Sequence, residues 1–137
     1  MNYIVFDLEW NQSPAGKKYA NSKIPFEIIE IGAVKLNEER KIVDCFQCLI
    51  KPQVYNWIHE NIHEVIHVNY RDLRRGKPFS QAVEEFFKWC GDDYMFFTWG
   101  NQDLTELQRN MKYYDLLEEE IRETPGNWLW SHNRWKR

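Results

Sequence analysis

Apolar and polar positions along the chain repeat in patterns that outline most of its elements. Tyr3-Ile4-Val5-Phe6-Asp7-Leu8-Glu9-Trp10 opens with apolar residues at consecutive positions. Such a run is apolar on both faces of a strand, which predicts a central position in a sheet. Asn11 to Pro25 is polar and broken by Pro14, Gly16 and Pro25, the composition of a loop. Two further strand-like runs, Glu27 to Leu36 and Lys41 to Ile50, flank the charged turn Asn37-Glu38-Glu39-Arg40 and predict a β-hairpin. Pro52 ends it, and a short helix is predicted around Trp57 to Val65. Phe79, Ala82, Val83, Phe86, Phe87 and Cys90 recur at helical spacing, with Ser80 as the expected N-cap and Gly91 as the stop. Tyr94 to Trp99 is a compact apolar strand, and Leu104, Leu107 and Met111 line one face of a following helix. Three strands, helix, strand, helix is the order of an α/β domain with a mixed sheet.

The length of 137 residues fits one domain with a single core. A formal charge of -3 excludes a uniformly basic nucleic-acid coat, so any such binding must rest on local patches and on bound metal. Asp7 and Glu9 interrupt the place where a signal peptide would have its apolar core, and no run approaches the ~18 apolar residues of a membrane span. The expectation is a cytoplasmic protein without membrane association. Cys45, Cys48 and Cys90 are an odd number and are expected as structural thiols. The Cys45-Phe46-Gln47-Cys48 spacing lies in a strand, where positions three apart face opposite ways, and has no second pair to complete a zinc site.

Candidate chemistry starts at Asp7 and Glu9. Strand alternation puts residues i and i+2 on one face, roughly 6 to 7 Å apart. Two like charges so placed inside a fold call for cations, and magnesium or manganese prefers carboxylate oxygen. A pair of such ions is the usual device for cutting phosphodiesters by in-line attack of water. The alternative is that the two carboxylates end the strand at the surface. Asp103 follows the strand that ends at Trp99, at the start of a helix. If that strand lies parallel to the first, its carboxyl end is near Asp7 and Glu9. Alternatively, Asp103 is an N-cap with Glu106 as its capping-box partner.

Taken together, Phe6-Asp7-Leu8-Glu9, Glu27-Ile28-Ile29-Glu30-Ile31-Gly32-Ala33-Val34 and Thr98-Trp99-Gly100-Asn101-Gln102-Asp103 resemble the motifs of the DEDDh family of 3'-5' exonucleases, in the branch of sporulation-pathway and small-RNA-trimming enzymes. The resemblance covers roughly residues 1 to 117. It implies a ribonuclease-H-like mixed sheet in the order 3-2-1-4 with flanking helices. It also implies that Asp7, Glu9 and Asp103 bind two divalent ions, Mg2+ or Mn2+. Leu8, Trp10 and Asn11 would border the 3'-terminal nucleotide of single-stranded RNA or DNA, whose last phosphodiester is hydrolysed.

The family's third motif, a histidine with an aspartate five residues later, does not appear in that arrangement. His132 is the only histidine after Asp103, and Arg137 stands five residues beyond it. Residues 1–123 therefore read as a partial exonuclease domain and 124–137 as an atypical Trp-rich, basic tail, as if the domain were cut short. Asn127 to Ser131 is a candidate fifth strand, but the helix that should follow it is absent. Impaired hydrolysis is expected, and the strand Tyr94 to Trp99 becomes an apolar edge open to self-association. Two rival readings remain. His59, His63 and His67 match H-E-x-x-H twice and would share one helix face, as in zinc hydrolases. Alternatively, the chain is an inactive nucleic-acid-binding module, using Arg71, Arg74, Arg75 and Lys77, or Arg134, Lys136 and Arg137 beside Trp128, Trp130 and Trp135.

Overall fold

The computed structural model describes residues 1–59, 62 and 68–116. The candidate fifth strand and the tail at 124–137, and His63 and His67 of the histidine ladder, lie outside the described residues. Strand β1 runs over Asn2–Gln12, β2 over Phe26–Leu36, β3 over Ile42–Leu49 and β4 over Tyr94–Phe97. Helix α1 spans Tyr70–Arg74, α2 Phe79–Cys90 and α3 Gln102–Tyr113. The sheet order is β3-β2-β1-β4, as the resemblance implies, and the sheet is mixed, with β1 antiparallel to β2 and parallel to β4.

One face of the sheet makes the core. Ile4, Phe6 and Leu8 of β1 alternate inward and meet Ile31 and Ala33 of β2 and Phe96 of β4. Above them lie the apolar stripe of α2, Phe79 to Cys90, and Leu107 and Met111 of α3. Phe86 is the centre of an aromatic stack, with ring centroids 5.9 Å from Phe96 and 5.8 Å from Phe6. Each such buried side chain contributes roughly 1.5–3 kcal/mol relative to exposure. The opposite face differs from the expectation of a strand covered on both sides. Val5 is 38% exposed and Asp7 is exposed, so β1 is central in the ladder without being enclosed on both faces.

Helix boundaries also depart in detail. Pro78, with its φ of -56°, occupies the N-cap of α2, and Ser80 lies inside the helix. The ring fixes an entry angle suited to a helix start, so it takes the boundary from the hydroxyl residue. Gly91 ends α2 at φ +84° with its N–H on Phe87 O, as the pattern predicts. β4 ends at Phe97, two residues early, because Thr98 Oγ1 donates to Gly100 O and Gly100 takes φ +85°. Helix α1 falls between Val65 and Phe79, where the sequence pattern predicts no element. Asn69 caps it by accepting from Asp72 N at 2.9 Å, and Leu73 inserts against Ile29 and Ile58.

Candidate active site

The parallel pairing of β1 with β4 stops at Val5 opposite Phe97, so β1 continues past the end of its neighbour. Beyond that point the edge of β1 meets the first turn of α3. Leu8 N–H donates to Asp103 Oδ1 at 3.2 Å, taking the place of a ladder bond across 95 residues of sequence. The capping alternative for Asp103 therefore fails. Asn101 is the N-cap residue, and Glu106 pairs with Arg109 at 2.8 Å.

Asp7 and Glu9 leave the same face of β1, just beyond the last β4 pair, and Glu9 lies opposite Glu30 of β2. The position opposite Asp7 is Gly32, which places no side chain beside that carboxylate. Burial raises the affinity of Glu9 for its proton, reinforced by the charges of Asp7, Glu30 and Asp103. Burial likewise pushes Asp103 up to about 6, against the Leu8 N–H, with Asp7 adding to the rise. Asp7, Glu9 and Asp103 thus share one electrostatic neighbourhood, and every charged group acting on Glu9 and Asp103 is a carboxylate. Among the described residues no three His, Cys, Asp or Glu side chains converge closely enough to hold a metal ion. The donor set itself fits a hard divalent cation, since accumulated negative charge on oxygen is what such an ion neutralises.

The three residues expected against the nucleotide are placed differently from one another. Leu8 is 4% exposed on the core face, opposite to Asp7 and Glu9. Trp10 follows a bulge between Glu9 and Trp10 and lies half-buried, its ring 6.0 Å from Phe26. Asn11 is fully buried: its Nδ2 donates to Trp57 O at 2.8 Å and its Oδ1 accepts from His59 N at 2.9 Å. The Leu8 side chain packs in the core, and the Asn11 side chain binds the 57–59 segment.

Other supporting groups escape sequence reasoning. Glu27 is buried and accepts from the backbone N–H groups of Gln53, Val54 and Tyr55 at 2.7, 2.8 and 3.2 Å. Asn110 of α3 accepts from Ile28 N and donates to Phe26 O, both on β2. Tyr55 donates its hydroxyl to Ile24 O and accepts from Asn21 N, tying down the loop after β1. The only signal for Glu27 is an acidic residue leading an otherwise apolar strand. The three amides it serves lie 26 to 28 residues away.

Comparison with known proteins follows the same line. A family model described as RNase T, exonuclease, matches residues 4–134. No curated protein sequence matches. Among solved structures, the nuclease domain of 3'hExo, a DEDDh family member bound to rAMP, superposes with a TM-score of 0.70 at 19% identity, covering 84% of this chain and 60% of that one. Cell-death related nuclease 4 (CRN-4) gives 0.69 at 22% identity, over 83% of this chain and 40% of that one. Exonuclease I, in a complex described as ExoI/SSB-Ct, gives 0.66 at 8%, over 92% and 26%. The chain thus spans 60% of the length of the 3'hExo nuclease-domain chain. The family match and the shared ribonuclease-H-like sheet lead to one conclusion: the chain belongs to the RNase T exonuclease family and has the fold of the DEDDh nucleases.

Proposed function

We propose that this domain is built to remove nucleotides from the 3' end of single-stranded RNA or DNA with the help of Mg2+ or Mn2+. The observation that supports the reading is the shared electrostatic neighbourhood of Asp7, Glu9 and Asp103 where β1 outruns β4, with Asp103 held to β1 by Leu8 N–H. Asp7, Glu9 and Asp103 would hold the cation, which when bound supplies a Lewis acid for the phosphoryl oxygen and lowers the pKa of bound water. The protein's own part is positional. Asp103 stays fixed through its bond to β1, while Asp7 projects from the open face beside Gly32. Asn11 holds the 57–59 backbone against the end of β1. The proton affinities of Glu9 and Asp103 are high because burial strips their carboxylates of water and neighbouring carboxylates add to the effect, so a cation is the natural counterweight.

Hydrolysis by this chain alone is proposed to be slow. The sequence after Asp103 offers His132 as its only histidine, followed five residues later by Arg137, and a missing general base costs about 10²- to 10⁴-fold. Binding without cleavage is the corresponding outcome for a module that keeps the fold. Self-association through the Tyr94 to Trp99 segment is a further proposal. It is supported by the position of β4 at the end of the strand order among the described residues and by Trp99, which is 87% exposed. Light scattering that gives a monomer mass at high concentration would end it.

The test is incubation of 5'-labelled single-stranded RNA and DNA with purified protein and Mg2+ or Mn2+. Stepwise shortening that Asp7→Ala abolishes is the expected result. Shortening that persists in Asp7→Ala would assign the activity elsewhere.

A further inference from the structure

The basic stretch around α1 is part of a built groove. Arg71, Arg74 and Arg75, with Tyr70 and Trp57, line a concavity of about 640 Å³. Trp57 is 66% exposed, and its ring stacks on Tyr70 with centroids 5.8 Å apart and planes 30° from parallel. All three arginines are exposed, and none forms an ion pair among the described residues. Asp72 lies on the same helix and is not part of the groove lining. Guanidinium groups favour phosphate, which they bind bidentately, and an open indole face favours an unstacked base.

The groove walls are anchored. Leu73 docks α1 onto Ile29 and Ile58, with Leu73 fully buried. At the far end, Gly76 passes so close to β3 that a Cβ would come within 2.8 Å of Leu49 O. Lys77 adds two backbone bonds there, donating to Leu49 O and accepting from Lys51 N. On the other wall, Asn11 of β1 holds Trp57 O. Asn11 is two residues beyond Glu9 on the same strand, so this wall of the groove is tied to the strand that carries Asp7 and Glu9.

We propose that this groove binds the single strand on the 5' side of the end being trimmed, with Arg71, Arg74 and Arg75 on its phosphates and a base stacked on Trp57. The proposal rests on the exonuclease reading for the direction of the strand, but its chemistry is independent of the divalent ion.

The test is fluorescence anisotropy of the full chain with a labelled single-stranded oligonucleotide long enough to span both sites, in EDTA, as salt is varied. Replacing the three arginines together (R71Q/R74Q/R75Q) is expected to flatten the log affinity against log salt slope by about 2, from roughly 0.7 per phosphate contact on single strands. Trp57→Ala is expected to weaken binding about tenfold with little change of slope. Because the side chains are exposed, folding should be preserved, and R71K/R74K/R75K should retain most of the slope. Equal affinity and slope in wild type and the Gln triple would overturn the proposal. So would competition by polyglutamate as effective as that of unlabelled oligonucleotide, since the groove would then be a site for acidic protein. Trimming that persists while the groove variants bind normally removes the groove alone. Groove binding without any trimming upholds the groove and removes the hydrolysis reading.

Discussion

Replacing Asn11 with alanine separates support from substrate contact. The carboxamide is fully buried and makes two hydrogen bonds to the backbone of the 57–59 segment, at 2.8 and 2.9 Å. Alanine strands the Trp57 carbonyl and the His59 N–H, each of which costs about 1–3 kcal/mol when left unpaired. Water can reach part of both groups, so the lower half of that range applies and the sum is about 2–4 kcal/mol. At this chain length that corresponds to a Tm lower by about 10 °C. Urea unfolding followed by circular dichroism reads it directly, as a midpoint lower by about 1–2 M. Oligonucleotide affinity should fall alongside stability, because Trp57 loses its anchor. Asn11→Asp is the companion variant: it keeps an acceptor for His59 N–H but sets a carboxylate against Trp57 O. A direct substrate contact gives the reverse pattern. Asn11→Ala within 0.5 kcal/mol of wild type, about the spread of ordinary surface substitutions, combined with weakened binding would refute the clamp.

Two other perturbations probe the packing around the sheet. Gly76→Ala forces backbone apart where a Cβ would lie 2.8 Å from Leu49 O and 2.9 Å from Lys51 N, so a loss of about 1–3 kcal/mol is expected in thermal unfolding; unchanged stability would mean that α1 is not pressed onto β3. In thiol alkylation of native protein at pH 8, Cys45 is expected to react first, because it is exposed. Burial pushes the Cys48 thiol up and Cys90 to about 12, so neither presents appreciable thiolate until the chain unfolds. Three thiols reacting at one rate would show that the core face is not closed.

The sheet was legible because consecutive apolar residues leave few alternatives to a central strand, and because the turn at Asn37 to Arg40 joins two strands of matched length. The same logic failed on the second face of β1, where apolar identity at Val5 says nothing of what covers it. Asp7, Glu9 and Asp103 were readable as a set from their order along the chain. Whether Asp103 caps its helix was not, since it turned on Asn101 taking the N-cap and on one bond to Leu8. Helix α1 was missed although Asn69, Asp72 and Gly76 punctuate it: five residues are too few for periodicity to register. Asn11 and Glu27 look like ordinary polar residues at strand ends, and only the distant amides they meet distinguish them. Tertiary partners of this kind have no local signature.

Under the proposed function, the bond between Leu8 and Asp103 makes one side chain serve both the architecture and the chemistry, which bears on how an inactive reference protein should be made. Alanine at position 103 would remove a donor oxygen and also release the tip of β1 from α3, so lost activity there could report a loosened scaffold. Asp7 is exposed and can be removed with the framework left standing. The amide hydrogen of Leu8 adds a diagnostic: its exchange with deuterium should remain slow in Asp7→Ala and quicken in Asp103→Ala. The two variants would then distinguish an enzyme that has lost its reagent from one that has lost its shape.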